Sequence, residues 1–182
     1  MLESPQTEKS GPGDGGSRLD YFRKALQIIK LQQPAMAEVA QDANALRFGI
    51  PVTAMGGALA FIPGKALGAV FVGALVSVFV LFFFAAFVHL FCGYSKGKQQ
   101  FMGFLRIVAV AGILDWAVII PYADLIIAIW SVVVSIAAAR TVYELSKSKA
   151  IFTVLISAMI LWIVTLMIFT GPLSYLYDIP GQ

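Results

Sequence analysis

Four groups of side chains in this sequence have types and spacings that bear on chemistry. Arg106 and Asp115 stand inside one apolar run. Asp124 follows Asp115 by nine residues. His89 and Cys92 share a helical face at i, i+3, and Lys96 and Lys98 flank Gly97. An ionisable side chain in the middle of a membrane helix costs roughly 2.5–3.5 kcal/mol on insertion scales, so each requires a physical account.

Arg106 lies about one turn inside the start of its run, where a long cationic side chain reaches the interface by snorkelling. His89 is the single histidine and Cys92 the single cysteine. Two ligands do not make a metal site, so a packed, hydrogen-bonded histidine is expected. Lys96, Gly97 and Lys98 offer backbone amides and two cations to a phosphate. They also read as a tight turn with two solvated lysines that fix orientation. Asp115 is different. It lies about thirteen residues into its run, roughly 20 Å from the start, and cannot reach the nearer interface. Its carboxyl can be paired, can hold a cation, or can stay protonated and cap a backbone group between helices. Asp124 faces Asp115 only in a tight hairpin.

No nucleophile, base and orienter stand together. Histidine catalysis would rest on His89 alone, and no serine has an evident base partner. The tail segment Lys9–Gly16 is Gly-rich but follows no strand and lacks the Lys-Ser/Thr ending of a phosphate loop. No enzyme activity and no cofactor are expected, and no nucleic-acid partner.

The elements that carry these residues are apolar. The chain has 182 residues, 59% hydrophobic and 13% charged, against about 25% charged in soluble domains. That composition predicts an all-α, polytopic membrane helix bundle. Residues 1–17 are Gly-, Pro- and Ser-rich and read as a disordered tail without a signal peptide. Ser17 and Asp20 make a capping-box-like start for a helix over 18–32. Leu19, Phe22, Leu26 and Ile29 fall on one face, with Arg23, Lys24, Gln27 and Lys30 on the other. This amphipathic helix suits the membrane interface, with an anionic lipid as partner, or packs on the cytoplasmic ends of the spans. Pro34 opens a second short helix, completing a segment over 18–44.

Five apolar runs follow within 45–170: about 45–62, 66–92, 102–120, 122–140 and 150–169. The first is short and carries Pro51, Gly56 and Gly57. With five spans, every basic residue except Lys65 lies on one side of the membrane. The positive-inside rule then places the N-terminus in the cytoplasm and the tail 171–182 outside. Ser131, Ser135 and Ala139, spaced i, i+4, i+8, form a stripe for close helix contact, as do Ala69 and Gly73. Arg140 and Glu144 read as a helical ion pair.

The loop after His89 resembles the YIP (Ypt-interacting protein) family in its compact prokaryotic form. The matching elements are His89-Leu90, the loop Ser95-Lys96-Gly97-Lys98-Gln99-Gln100-Phe101, and the span ending in Ile120-Pro121. Asp20-Tyr21-Phe22-Arg23 is similar to the helix before the family's first span, and Arg140 with Lys147 to Ala150 to its last basic link. The likeness covers about 18–170. Gln99-Gln100 replaces a commoner Gly-Ser-like pair, Val110 and Leu114 stand where Tyr and Pro are frequent, and Asp115 and Asp124 lie outside the pattern. The resemblance implies five membrane helices, a cytoplasmic N-terminus and no catalysis, in a bacterial or archaeal plasma membrane. Eukaryotic relatives bind Rab-type GTPases and membrane-shaping proteins. The expected function is a non-catalytic protein- or lipid-binding, membrane-organising component. Its expected partners are the lipid bilayer and other proteins or its own copies, met through membrane helices. The alternative is a small transporter or channel component with Asp115 as an intramembrane cation or proton site.

Overall fold

The computed structural model describes residues 17–60, 67–93, 98–120 and 122–170. The two expected tails and Lys65 lie outside them. All regular structure there is helical: α1 (Arg18–Ile29), α2 (Gln33–Gln41), α3 (Ala45–Leu59), α4 (Leu67–Gly93), α5 (Lys98–Ala111), a 3-10 segment (Gly112–Ile119), α6 (Asp124–Tyr143) and α7 (Lys147–Thr170). Four stretches are long and apolar enough to cross a membrane: Leu67–Cys92, Gln100–Ile119, Asp124–Tyr143 and Lys147–Met167. The first of the five expected runs is shorter. α3 has 15 residues, about 22 Å at helical rise, against a hydrocarbon core of about 30 Å. Pro51 sits within it and removes one backbone donor from the helix.

The second of these four stretches is the centre of the bundle. Phe104, Leu105, Ile107, Ala109, Val110 and Ile113 are buried, and α1, α2, α3, α4 and α6 all pack on α5. α7 closes the far side against α4 and α6. The outward faces are apolar: Phe71, Phe79 and Phe83 on α4, Leu125, Ile126 and Ile129 on α6, and Phe152, Met159 and Trp162 on α7 are exposed. Soluble monomers rarely present so continuous an apolar surface, which matches hydrocarbon surroundings.

α3 runs parallel to α5 and antiparallel to α4. Along α5, Gly49 meets Ala109, and Gly56 meets Asp115 in the 3-10 segment. Along α4, Gly57 meets Gly73 and the Thr53 carbonyl accepts from Ser77. A Cβ on Gly49 would stand 2.7 Å from the Ala109 Cβ, so only glycine permits this approach.

One local reading is refined and two are corrected. First, α1 buries Tyr21, Ala25 and Ile28, whereas Leu19, Phe22 and Leu26 stay 81%, 43% and 46% exposed. The docked stripe is turned away from the most apolar one because Tyr21 gains a hydrogen bond to Asp42 and stacks on Phe48. Second, α1 ends at Ile29, short of Gln32. Leu31 adopts φ 61°, while Leu31 and Gln32 amides donate to the Ile28 and Gln27 carbonyls. This is a Schellman stop made without glycine. Ser17 still starts α1, but its side chain makes no cap; Asp20 pairs with Lys24 at 3.1 Å instead. Third, Arg140 and Glu144 form no ion pair. Glu144 is the left-handed C-cap of α6 at φ 54°, outside the helical register that an i, i+4 pair needs.

Candidate functional site

At Gly112 the Gln100–Ile119 stretch changes from α to 3-10 and stays so for 8 residues, longer than the usual three or four. α3 passes close against this segment. A Cβ on Gly112 would lie 2.4 Å from Thr53 Oγ1, and one on Gly56 would lie 2.6 Å from the Asp115 Cβ. In a 3-10 helix residues i and i+3 eclipse, so Gly112 and Asp115 share the line that meets α3. Three side-chain bonds fasten the crossing. Thr53 Oγ1 donates to the Ala109 carbonyl at 3.3 Å, Trp116 Nε1 donates to the Val52 carbonyl at 2.9 Å, and Ser77 Oγ donates to the Thr53 carbonyl at 3.0 Å.

Beside the crossing lies a cavity of about 260 Å³ between α3, α4, α6, α7 and the Gln100–Ile119 stretch. Asp115, Thr53, Ser77, Ser131 and Ser135 are on its wall. The small-residue stripe of α6 thus faces the chain's own interior. Asp115 has no hydrogen-bond or ion-pair partner among the described residues. It caps no backbone group there, as a protonated carboxyl between helices would. Asp115 is four residues before the end of the 3-10 segment, about 8 Å at 3-10 rise, so it belongs to the far part of the span.

The other candidate residues fall elsewhere. Asp124 is exposed in the first turn of α6, where its charge suits the helix dipole; it is not on the cavity wall. His89 packs as expected: its Nδ1 lies 3.0 Å from the hydroxyl of fully buried Tyr143, and its ring meets Phe101 edge-on at 5.5 Å. Cys92 is buried nearby, one turn on. Arg106 is half-buried and reaches the end of α2. Its Nη1 donates to the Ala40 carbonyl at 2.7 Å, satisfying an acceptor in the last turn of α2 where a cation also suits the dipole. Lys98 opens α5, and Lys96 lies outside the described residues.

Among the described residues, the structure therefore does not gather Asp115, Asp124, His89 and Arg106 into one site. It places His89 and Arg106 towards one end of the bundle and Asp115 towards the other. Thr53, Ser77 and Trp116 join Asp115 without having stood out in the sequence. One signal was available: Gly49 and Gly56 are seven residues apart, two helical turns, the spacing of a close-packing seam. Comparison with protein families, with curated proteins and with solved structures finds no match to this chain.

Proposed function

We propose that this chain is a non-catalytic, multi-pass membrane protein of the YIP type, with five spans and a cytoplasmic N-terminus. In this reading α1 and its surroundings contact an anionic membrane surface and organise it, alone or with protein partners. The observation that carries it is the split surface of α1. Tyr21, Ala25 and Ile28 anchor the helix on the bundle, while Leu19, Phe22 and Leu26 stay uncovered beside exposed Arg18, Arg23 and Lys30. An apolar stripe flanked by cations is the pattern that inserts into a headgroup layer.

Two features support α3 as the fifth crossing despite its length. Gly56 lies opposite Asp115, so the end of α3 is level with the far end of the third span. At the near end, Gly103 and Arg106 meet Ala40, so α2 fills the depth that α3 leaves.

A fluorophore at Phe22→Cys in a Cys92→Ser chain tests the α1 reading. In nanodiscs its emission should shift to the blue when anionic lipid is added and return at high salt. Emission indifferent to lipid charge would remove this role from α1. A topology reporter after Gln182 should read extracytoplasmic while one before Met1 reads cytoplasmic; the same side for both would reduce the spans to four. A second reading, a small transporter or channel component, is favoured by the unpartnered Asp115 on the cavity wall.

A further inference from the structure

We infer that the cavity beside Asp115 binds a small amphiphilic monocation, an ammonium group carried on an apolar body. The inference is independent of the role given to α1, and it concerns binding, whether or not the chain moves what it binds.

Charge sets the first requirement. Among the described residues, Asp115 is the one ionisable side chain on the cavity wall. It lies inside a stretch apolar enough to cross a membrane and has no partner among the described residues. A carboxylate so placed is stabilised by a single positive charge, and a divalent ion would leave an uncompensated one.

The rest of the wall sets the second. Beyond the four hydroxyl residues it is made of apolar residues of α4, α5, the 3-10 segment, α6 and α7, among them Val80, Leu81 and Phe84 of α4, Val134 of α6 and Leu161 of α7. A bare hard cation takes about six or more oxygen ligands. Here the Thr53 and Ser77 hydroxyl hydrogens are already directed to backbone carbonyls, and apolar surface predominates. An alkyl or aryl body satisfies that surface. The ammonium hydrogens are donated to the Asp115 carboxylate and to free lone pairs on the serine and threonine oxygens. Phe84 adds an aromatic wall, which suits a cation or a ring. The volume of about 260 Å³ lies just under the range of small-molecule sites, about 300–1,000 Å³, so the ligand is small.

Saturation binding of radiolabelled benzylammonium to the full chain in zwitterionic nanodiscs tests this, with empty nanodiscs as background. Saturable binding of one molecule per chain is expected. Its neutral analogue, benzyl alcohol, should compete at least about tenfold more weakly, because the charge-assisted bond is lost. Asp115→Asn should weaken benzylammonium at least about tenfold on the same ground, while Asp115→Glu retains part of it. Ala158→Leu fills the cavity with Asp115 intact and should also weaken binding, so the test survives if Asp115→Asn fails to fold. Equal binding of the neutral analogue, or binding untouched by Asp115→Asn, would mean a pocket for lipid tails and overturn the inference. Displacement of benzylammonium by millimolar sodium would mean an inorganic cation site and overturn it equally.

Discussion

The Tyr21 hydroxyl donates to Asp42 Oδ2 across 2.5 Å, joining α1 to the turn between α2 and α3. Burial, then the hydrogen bond and charge of Asp42, push the Tyr21 hydroxyl up to about 12. Lys24 sits beside it, bonded to Glu38 at 2.9 Å and Asp20 at 3.1 Å. Burial acts to lower the Lys24 value, but the bonds to Glu38 and Asp20 outweigh it and the net shift is upward. For both groups the folded value exceeds the unfolded one. Their contribution is therefore complete below about pH 10 and is lost as pH rises through the folded values. Hydrogen exchange over 18–41 should accelerate between about pH 10 and 12, after correction for intrinsic rates. Tyr21→Phe should open the same segment at neutral pH by about 1.5–3 kcal/mol, the worth of a hydrogen bond to a charged group, and shrink the alkaline step. Unchanged exchange in the variant would show that α1 is held by packing alone.

Gly49→Ala should destabilise the bundle by about 1–3 kcal/mol, because its new methyl overlaps the Ala109 side chain and backbone. Gly68 is the control. It lies in α4 with nothing near the position of an added Cβ, so Gly68→Ala should gain about 0.5–1 kcal/mol from helix propensity. Thermal or denaturant unfolding in detergent reads both, and equal effects would contradict the close α3–α5 approach.

Arg106→Met keeps the apolar stem and deletes the bond to the Ala40 carbonyl. It should loosen the end of α2 by about 1.5–3 kcal/mol in hydrogen exchange, with little change in α7. A snorkelling arginine, bound to water instead, would give no effect confined to α2.

The His89–Tyr143 pair should behave as a coupled unit. Tyr143→Phe and His89→Phe, alone and together, should show a coupling of about 0.5–1.5 kcal/mol in unfolding free energy. Additive losses would reduce their 3.0 Å approach to a contact without energetic weight.

Helix positions were legible in the sequence because hydropathy and punctuation report them directly. Pro34 opens α2, and the weakest apolar run, with Pro51 inside it, is too short to count with the four long apolar stretches. His89 was legible as a packed residue because one histidine and one cysteine cannot complete a metal site. The face of α1 was not. Its docked stripe depends on Asp42, twenty-one residues away in sequence, and on Leu31 taking a backbone region that leucine rarely occupies. Nor was the setting of Asp115 legible. Its depth followed from counting residues, but its neighbours Thr53 and Ser77 come from two other helices. Gly56, read in the sequence as a weakness of the first run, is the surface against which Asp115 is set.

The 3-10 segment fixes more than length. Each of its residues turns about 120° and advances about 2.0 Å, against about 100° and 1.5 Å in an α-helix. Over Gly112–Ile119, 8 residues, the tighter winding extends the span by about 4 Å beyond what the same residues would reach as α-helix. Counted from Ala111, Asp115 has also advanced about 80° further in azimuth than α geometry would carry it. The direction of this carboxylate is thus a property of backbone pitch, transmitted through four peptide units. Rewinding those units alone would swing it off the cavity wall without altering a single side chain.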